Sequence, residues 1–344
     1  GFKGSWLSMW LKELGSDVLG VSLPDKKSHL YQLNLNIKEE LFDLKNFNKT
    51  KKIFQDFNPD IIIHLAAQTI VSESYSNPYH NWNNNLISTL NVLETSKTLK
   101  KIKLLLVTTT DKVYENVEKK RGYKETDPLG GYDPYSASKA SIEHMCNSYS
   151  NSIIKNKFKI LTARSGNVIG GGDWSKDRII PDCVKSWTTN RNAIIRNPHS
   201  TRPWQHVLEV IRGYLHAAVI GKRNQKKING EAFNFGPNNY QNRSVIQLVK
   251  FMKKNWDLVS WKIKKEKNNK KESKLLNLNS NKSKNLLYWE PILKFNESVK
   301  LTADWYKLYY SRKTKALDIS KQQILNYDKK INEHFKKRKL GIFK

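Results

Sequence analysis

"KIKLLLVTTTDKVYEN", residues 101–116, runs from an apolar stretch into three hydroxyl residues and then an Asp beside a Lys, with no turn residue between them. A short, unbroken apolar run of this kind reads as a strand covered on both faces, the pattern of a parallel sheet. "DIIIHLAA" (60–67) is a second such run, and a long helical stretch over about 78–99 lies between the two. Upstream, "SWLSMWLKEL" (5–14) has helical spacing and stops at Gly15, "DVLGVSL" reads as a strand closed by Pro24, "LFDL" (41–44) as another, and 46–57 as a helix. Downstream, a helix over 134–153 precedes the strand "FKILTARSGN". Strands alternating with helices predict crossover units and a doubly wound parallel α/β sheet. Beyond about residue 170 the regularity weakens. We therefore expect a first domain over 1–168, a smaller mixed domain over 169–312 with some segments returning to the sheet, and a basic helical tail over 313–344.

The chain opens on "GFKG", where Gly1, Phe2 and Gly4 form the back half of a Gly-x-x-Gly turn leading into a helix. Such a turn lays a helix N-terminus and free backbone amides on a pyrophosphate, as in Rossmann-type dinucleotide sites. The strand that feeds this turn and its first glycine are not in the sequence, so the first strand of the sheet is expected to be missing from this chain. Trp6, Leu7, Trp10 and Leu11 on the following helix are then expected to lack part of their packing surface. Where an acid usually grips the adenosine ribose stands "VSLPDKK" (21–27), with Ser22 and no acid before Asp25. Lys26 and Lys27 leave room there for a 2′-phosphate.

The chain has 344 residues, 38% of them apolar and ten of them Trp, which fits a globular protein. Its formal charge of +30 comes from 61 Lys and Arg against 31 Asp and Glu. The lysines are scattered among asparagines, and the dense runs 262–274 and 336–344 carry no interleaved aromatics for base stacking, so no nucleic-acid partner is expected. Cys146 and Cys183 form no metal-ligand spacing or disulfide framework. No apolar stretch is long enough for a membrane span, and "WLSMWLKELG" lacks the basic flank and cleavage site of a signal peptide. A cytoplasmic protein without a membrane partner is expected.

Tyr135 and Lys139 in "YDPYSASKA" lie four apart and share a helical face just after Pro134. An ammonium beside a phenol favours the phenolate and predicts a Tyr pKa below its usual ~10, giving a base for a hydroxyl proton. From the residues alone this reaches a nicotinamide enzyme acting on an alcohol. The context resembles the extended short-chain dehydrogenase/reductase superfamily, in which Thr110 matches the Ser or Thr that completes the Tyr–Lys set. "GFKGSWL", "HLAAQ", "TTDKVYEN", "DPLGGYDPYSASK", "GNVIGGGDWSKDRIIPD", "RPWQHVLE" and "AFNFGP" further resemble the nucleotide-sugar 4,6-dehydratases acting on CDP-glucose, over residues 1 to about 308.

That resemblance implies a hydro-lyase with bound NAD and CDP-glucose as substrate. Tyr135 takes the 4-hydroxyl proton as hydride leaves C4. The 4-ketone then acidifies C5, and water is lost across C5 and C6 with Asp111 protonating the departing 6-hydroxyl. Hydride finally returns to C6. Lys112 matches the position of the C5 base, either as a neutral amine or as a cation stabilising the enolate oxygen. By the same resemblance Gly1, Phe2, Gly4, Asp43, Leu44, Leu65, Ala66, Ala67, Gln68 and Thr108 meet the cofactor with Tyr135 and Lys139. Asn167, Arg178, Arg202, Trp204 and His206 meet the nucleotide sugar, and NAD is favoured over the 2′-phosphorylated form. His64 reads as a core histidine. The family's helical interface predicts a homodimer through 78–99 and 134–153, with Ile142, Met145 and Tyr149 as an apolar stripe. An epimerase or decarboxylase of the same fold would need Tyr135 and Lys139 but not the Asp111–Lys112 pair. A basic non-catalytic binding protein would rest on the charge alone.

Overall fold

The computed structural model describes residues 1–24, 33, 35–119, 121–155, 157–223, 228–237, 242–264 and 276–337. Lys26 and Lys27, and with them the reading of a 2′-phosphate, lie outside the described residues. The strands in chain order begin with β1 (Leu19–Ser22), β2 (Lys38–Leu41), β3 (Ile61–His64), β4 (Leu104–Thr108) and β5 (Lys159–Ser165). They continue with β6 (Val168–Ile169), β7 (Ala193–Ile195), β8 (Thr201–Arg202), β9 (Gln205–His206), β10 (Ala232–Phe235), β11 (Arg243–Ser244) and β12 (Trp261–Ile263). The main sheet is parallel, in the order β10-β5-β4-β3, and β1 and β2 pair in parallel as a separate ribbon. His64 lies opposite Val107 and Thr108 opposite Ala163, so β3, β4 and β5 end side by side. Ligands in open α/β sheets bind outside these carboxyl ends.

Every residue of β4 is buried, with Leu104 to Val107 at 0% exposure, as the unbroken apolar run requires. The flanking helices are α1 (Phe2–Glu13), α2 (Phe47–Phe57), α3 (Val71–Ser76), α4 (Pro78–Trp82), α5 (Ser88–Ser96) and α6 (Pro134–Ser148). In the second half lie α7 (Ile179–Trp187), α8 (Val207–Lys222), α9 (Val245–Asn255), α10 (Asn281–Leu287), α11 (Phe295–Tyr310) and α12 (Ala316–Lys337).

Four expectations change. The strand near 41–44 is shifted to 38–41, and Phe42 and Leu44 instead turn into the core beyond its end. The single helix over 78–99 is α4 and α5 joined by a π-helical turn, Asn83–Ile87. Asn85 in that turn is fully buried and spends its side chain on the backbone N–H and C=O of Gln68 and on Ser138 of α6, contacts that locally compete with regular helix. The stripe Ile142–Met145–Tyr149 faces the chain's own core, where it packs with Val92, Val107 and Ile160. Last, the tryptophans of α1 do not want for partners. Trp6, Leu7, Met9 and Trp10 are buried with Val207, Leu208, Ile211, Trp305 and Tyr327, because α1 lies against α8 and α12.

Candidate active site

The carboxyl ends of β4 and β5 and the first turn of α6 meet at one place. α6 begins where Asp133 caps it, accepting from the Ser136 N–H at 2.9 Å, with Pro134 preset for the first helical position. One turn later Lys139 is buried, and its Nζ donates to the Thr108 carbonyl at 3.0 Å. Tyr135 is 8% exposed and hydrogen-bonded to the Thr110 hydroxyl. Thr110 also donates to Asp111 Oδ1 at 3.0 Å and accepts from the Lys112 N–H at 3.3 Å, which tightens residues 111–113 into a 3₁₀ turn. Asp111 is 1% exposed, and its Oδ2 has no hydrogen-bond partner among the described residues. Gly166, just past β5, presses on that carboxylate: a Cβ there would stand 1.9 Å from Asp111 Oδ2. Lys112 is half-buried.

The electrostatics differ in one respect from the sequence reading. Burial pushes the Tyr135 phenol up to about 12 instead of down, against the lowering pull of the Thr110 hydrogen bond and the Arg178 charge; Asp111 and Asp133 push it further up. Lys139 falls to about 8, through burial first and then the neighbouring Lys3. An ammonium carries three donors, and here a single carbonyl takes one of them among the described residues, so two remain for ligand hydroxyls.

Behind these residues lies a buried network that the motif reading passes over. Glu143, one turn beyond Lys139, accepts from Thr109 and Thr162 at 2.5 Å and from Arg164 Nε and Nη2 at 3.0 and 3.1 Å. Arg164 in turn reaches the Tyr114 hydroxyl at 2.8 Å. One carboxylate thus ties α6 to β5 and to the end of β4. Its position at i+4 from Lys139 and i+8 from Tyr135 is the sequence signal that could have found it.

The other expected residues divide. Gly1 caps α1, and a Cβ on Gly1 would meet nothing, while one on Gly4 would make an ordinary 3.8 Å contact with Leu65; the protein itself imposes no steric need for glycine at either place. That open approach fits a cofactor backbone lying on the turn. Phe2 lies against Gly170. Leu65, Ala66 and Ala67 leave the end of β3, and Gln68 is fixed by Asn81 and Asn85. Asp43 accepts from the Lys45 N–H at 2.9 Å, and Leu44 is buried. Thr108 donates to the His64 carbonyl. Arg178 is not a free cation: it holds Asp173 at 2.9 Å and Thr69 at 3.1 Å. Asn167 is half-buried with a positive φ of 32°, its carbonyl accepting from Gln205. Arg202 is half-buried in β8. Trp204 and His206 are buried. The Trp204 indole N–H is spent on the Arg243 carbonyl, and His206 caps α8, lowered by burial to about 3, edge-on to Trp6. His64 is the core histidine expected, bonded to Thr89 and likewise near 3. Both cysteines are buried thiols.

A family model described as GDP-mannose 4,6 dehydratase matches residues 1–302. The chain belongs to that family. Among curated relatives, CDP-glucose 4,6-dehydratase of Salmonella typhimurium is 38% identical over 338 residues, covering 95% of this chain and 93% of the relative. Human dTDP-D-glucose 4,6-dehydratase is 27% identical, covering 77% of this chain and 73% of that protein. Among solved structures, the epimerase Mth375 of Methanothermobacter thermautotrophicus superposes with a TM-score of 0.79 at 22% identity, over 90% of both chains. The dTDP-glucose 4,6-dehydratase of Bacillus anthracis gives 0.74 at 21% identity, over 90% of this chain and 94% of that one. These likenesses fix the Rossmann-type fold expected from the strand and helix pattern.

Proposed function

We propose that the protein converts CDP-D-glucose to CDP-4-dehydro-6-deoxy-D-glucose and water, as an NAD-dependent hydro-lyase. The observation that carries this reading is Asp111: a buried carboxyl held through one oxygen by Thr110, its other oxygen without a partner among the described residues, beside the Tyr135 phenol. An epimerase has no use for such a group, whereas loss of a 6-hydroxyl needs an acid. The relative that shares 38% identity supports CDP-glucose as the substrate.

Bound NAD would supply the acceptor for hydride from C4 and its return to C6. Tyr135 accepts the 4-hydroxyl proton, with Thr110 hydrogen-bonded to the phenol. Lys139 orients ribose hydroxyls with the donors that Thr108 leaves free. Asp111 protonates the departing 6-hydroxyl, and Lys112 takes the C5 proton or stabilises the enolate oxygen. Asn167 and Arg202, with Arg178 at the edge, meet the sugar diphosphate. In this reading residues 1–168 hold the cofactor and 169–312 the nucleotide sugar, in a cytoplasmic homodimer that binds no nucleic acid. Exposed Tyr75, Tyr79 and Ile87 on the 71–96 segment are candidates for the subunit contact now that the α6 stripe is accounted for.

Incubation with NAD and, separately, CDP-glucose, dTDP-glucose, UDP-glucose and GDP-mannose tests the assignment. A 4-keto product absorbing in alkali is expected with CDP-glucose. Equal or faster turnover of another nucleotide sugar would reassign the substrate, and a 4-epimer without loss of water would reassign the reaction.

A further inference from the structure

Lys3 breaks a local rule. It stands in the first turn of α1, where the helix dipole disfavours a cation, and no acidic residue accompanies it there. Its side chain does not escape to solvent. It crosses to the end of β5, where Nζ donates to Ser165 Oγ at 3.1 Å, and Ser165 in turn lies 3.5 Å from the Tyr214 hydroxyl on α8. The next residue after Ser165 is Gly166, the glycine pressed on the Asp111 carboxylate. The groups whose charges act on Lys3 are Asp111 after β4, and Asp173 and Arg178 before α7; Lys3 in turn acts on Lys139 of α6. Lys3 is therefore the cation that the cofactor turn itself brings to the end of β5, one residue from the glycine pressed on Asp111. Burial lowers its pKa to about 8. A local violation of this kind, held by a long-range contact, marks function more often than stability.

We propose that Lys3 is a positioning residue for the elimination step, acting through Asp111: its ammonium stabilises the carboxylate that Asp111 becomes on giving up its proton. The inference rests on the dehydratase reading. In that step the Asp111 proton passes to the 6-oxygen, the C6–O bond breaks and water leaves. The C5 proton goes to the base, and its electron pair forms the C5–C6 double bond. Negative charge thus develops on a buried carboxylate at the moment of bond cleavage, which is where a fixed cation has the greatest effect. The preceding oxidation at C4 makes no such demand on Asp111, so Lys3 should divide the two steps.

Lys3→Gln keeps a donor for Ser165 and removes the charge. With NAD and CDP-glucose, the variant should still reduce the bound nicotinamide, and the reduced form should build up while 4-keto-6-deoxy product falls on the order of tenfold to a hundredfold. Lys3→Arg should restore product. In the unmodified protein, raising the pH through the range in which Lys3 loses its proton should lower product formation relative to nicotinamide reduction. An unchanged product rate in Lys3→Gln, a parallel loss of nicotinamide reduction and product, or a constant ratio across that pH range would each overturn the proposal. If the unmodified protein forms neither reduced nicotinamide nor product from CDP-glucose, the dehydratase reading itself fails.

Discussion

A buried phenol resists ionisation, yet in the proposed reaction Tyr135 must accept a proton. The structure eases the tension only in part: Thr110 and the charge of Arg178 pull against the burial that lifts the phenol to about 12. Only the phenolate can take the proton from the sugar hydroxyl, so each turnover passes through the small ionised fraction that this pull favours. Tyr135→Phe removes the acceptor and almost no volume. Turnover should fall by at least ~100-fold with nucleotide-sugar affinity within a few fold, as read by steady-state rates beside calorimetric binding. Retention of a tenth of the activity would remove Tyr135 from the chemistry. Lys139 needed only its spacing to be found. Lys3 did not announce itself, although it stands inside the quoted "GFKG", because what gives it meaning is Ser165, 162 residues away.

Between elements, the decisive contact is the end of β5 against the turn after β4. Gly166 is there because nothing larger fits: Ala would drive its Cβ into the Asp111 carboxylate. Gly166→Ala is expected to cut dehydration by more than ~10-fold, the usual scale for a misplaced general acid, while the melting temperature falls only modestly, since Asp111 can swing aside. A variant of unchanged activity would mean that Asp111 is not held where the reaction needs it. The central strands β3, β4 and β5 and the capped start of α6 are legible in the sequence, because each follows from a local period or a Pro and Asp at a helix entry. The π-helical turn at 83–87 is not, since it answers to Gln68 and Ser138 rather than to its own residues. The burial of the Ile142 stripe is likewise a tertiary fact: an apolar helix face predicts a partner surface without saying whose it is. Glu143 lies between these cases, with a visible spacing and an invisible partner in Arg164.

At the scale of the molecule, three histidines among the described residues are held neutral by burial: His64 and His206 at about 3 and His216 at about 4, each below the ordinary 6.5. The folded state therefore binds fewer protons than the unfolded chain once the pH drops below about 6.5. Stability is free of this penalty above that value and declines as the pH falls toward 4, which thermal melts across the range will show. His64→Gln should flatten the decline, and an unaltered slope would place the acid sensitivity elsewhere. The C-terminal helix belongs to the same whole. Ile319, Ile324 and Tyr327 of α12 are buried, and the Tyr327 hydroxyl receives a 2.9 Å bond from Arg212. Burying such side chains contributes roughly 1.5–3 kcal/mol each, against a typical domain stability of ~5–15 kcal/mol. Ending the chain at residue 312 should therefore yield insoluble or proteolytically fragile protein; a soluble, cooperatively melting product would show α12 to be dispensable.

Helix α1 joins two regions that the sequence keeps far apart. It starts at the turn on which the cofactor diphosphate would rest, and one turn from its far end the Trp10 ring meets Tyr327 of α12 at 5.8 Å. Whatever holds the first turn in place also holds the face on which α12 lies, so occupancy at one end should be measurable as a clock at the other. With NAD at ~100 times its dissociation constant, linkage adds about 2.7 kcal/mol to the bound form, or roughly a hundredfold. The backbone amides of residues 316–337 should then trade deuterium with solvent up to that much more slowly.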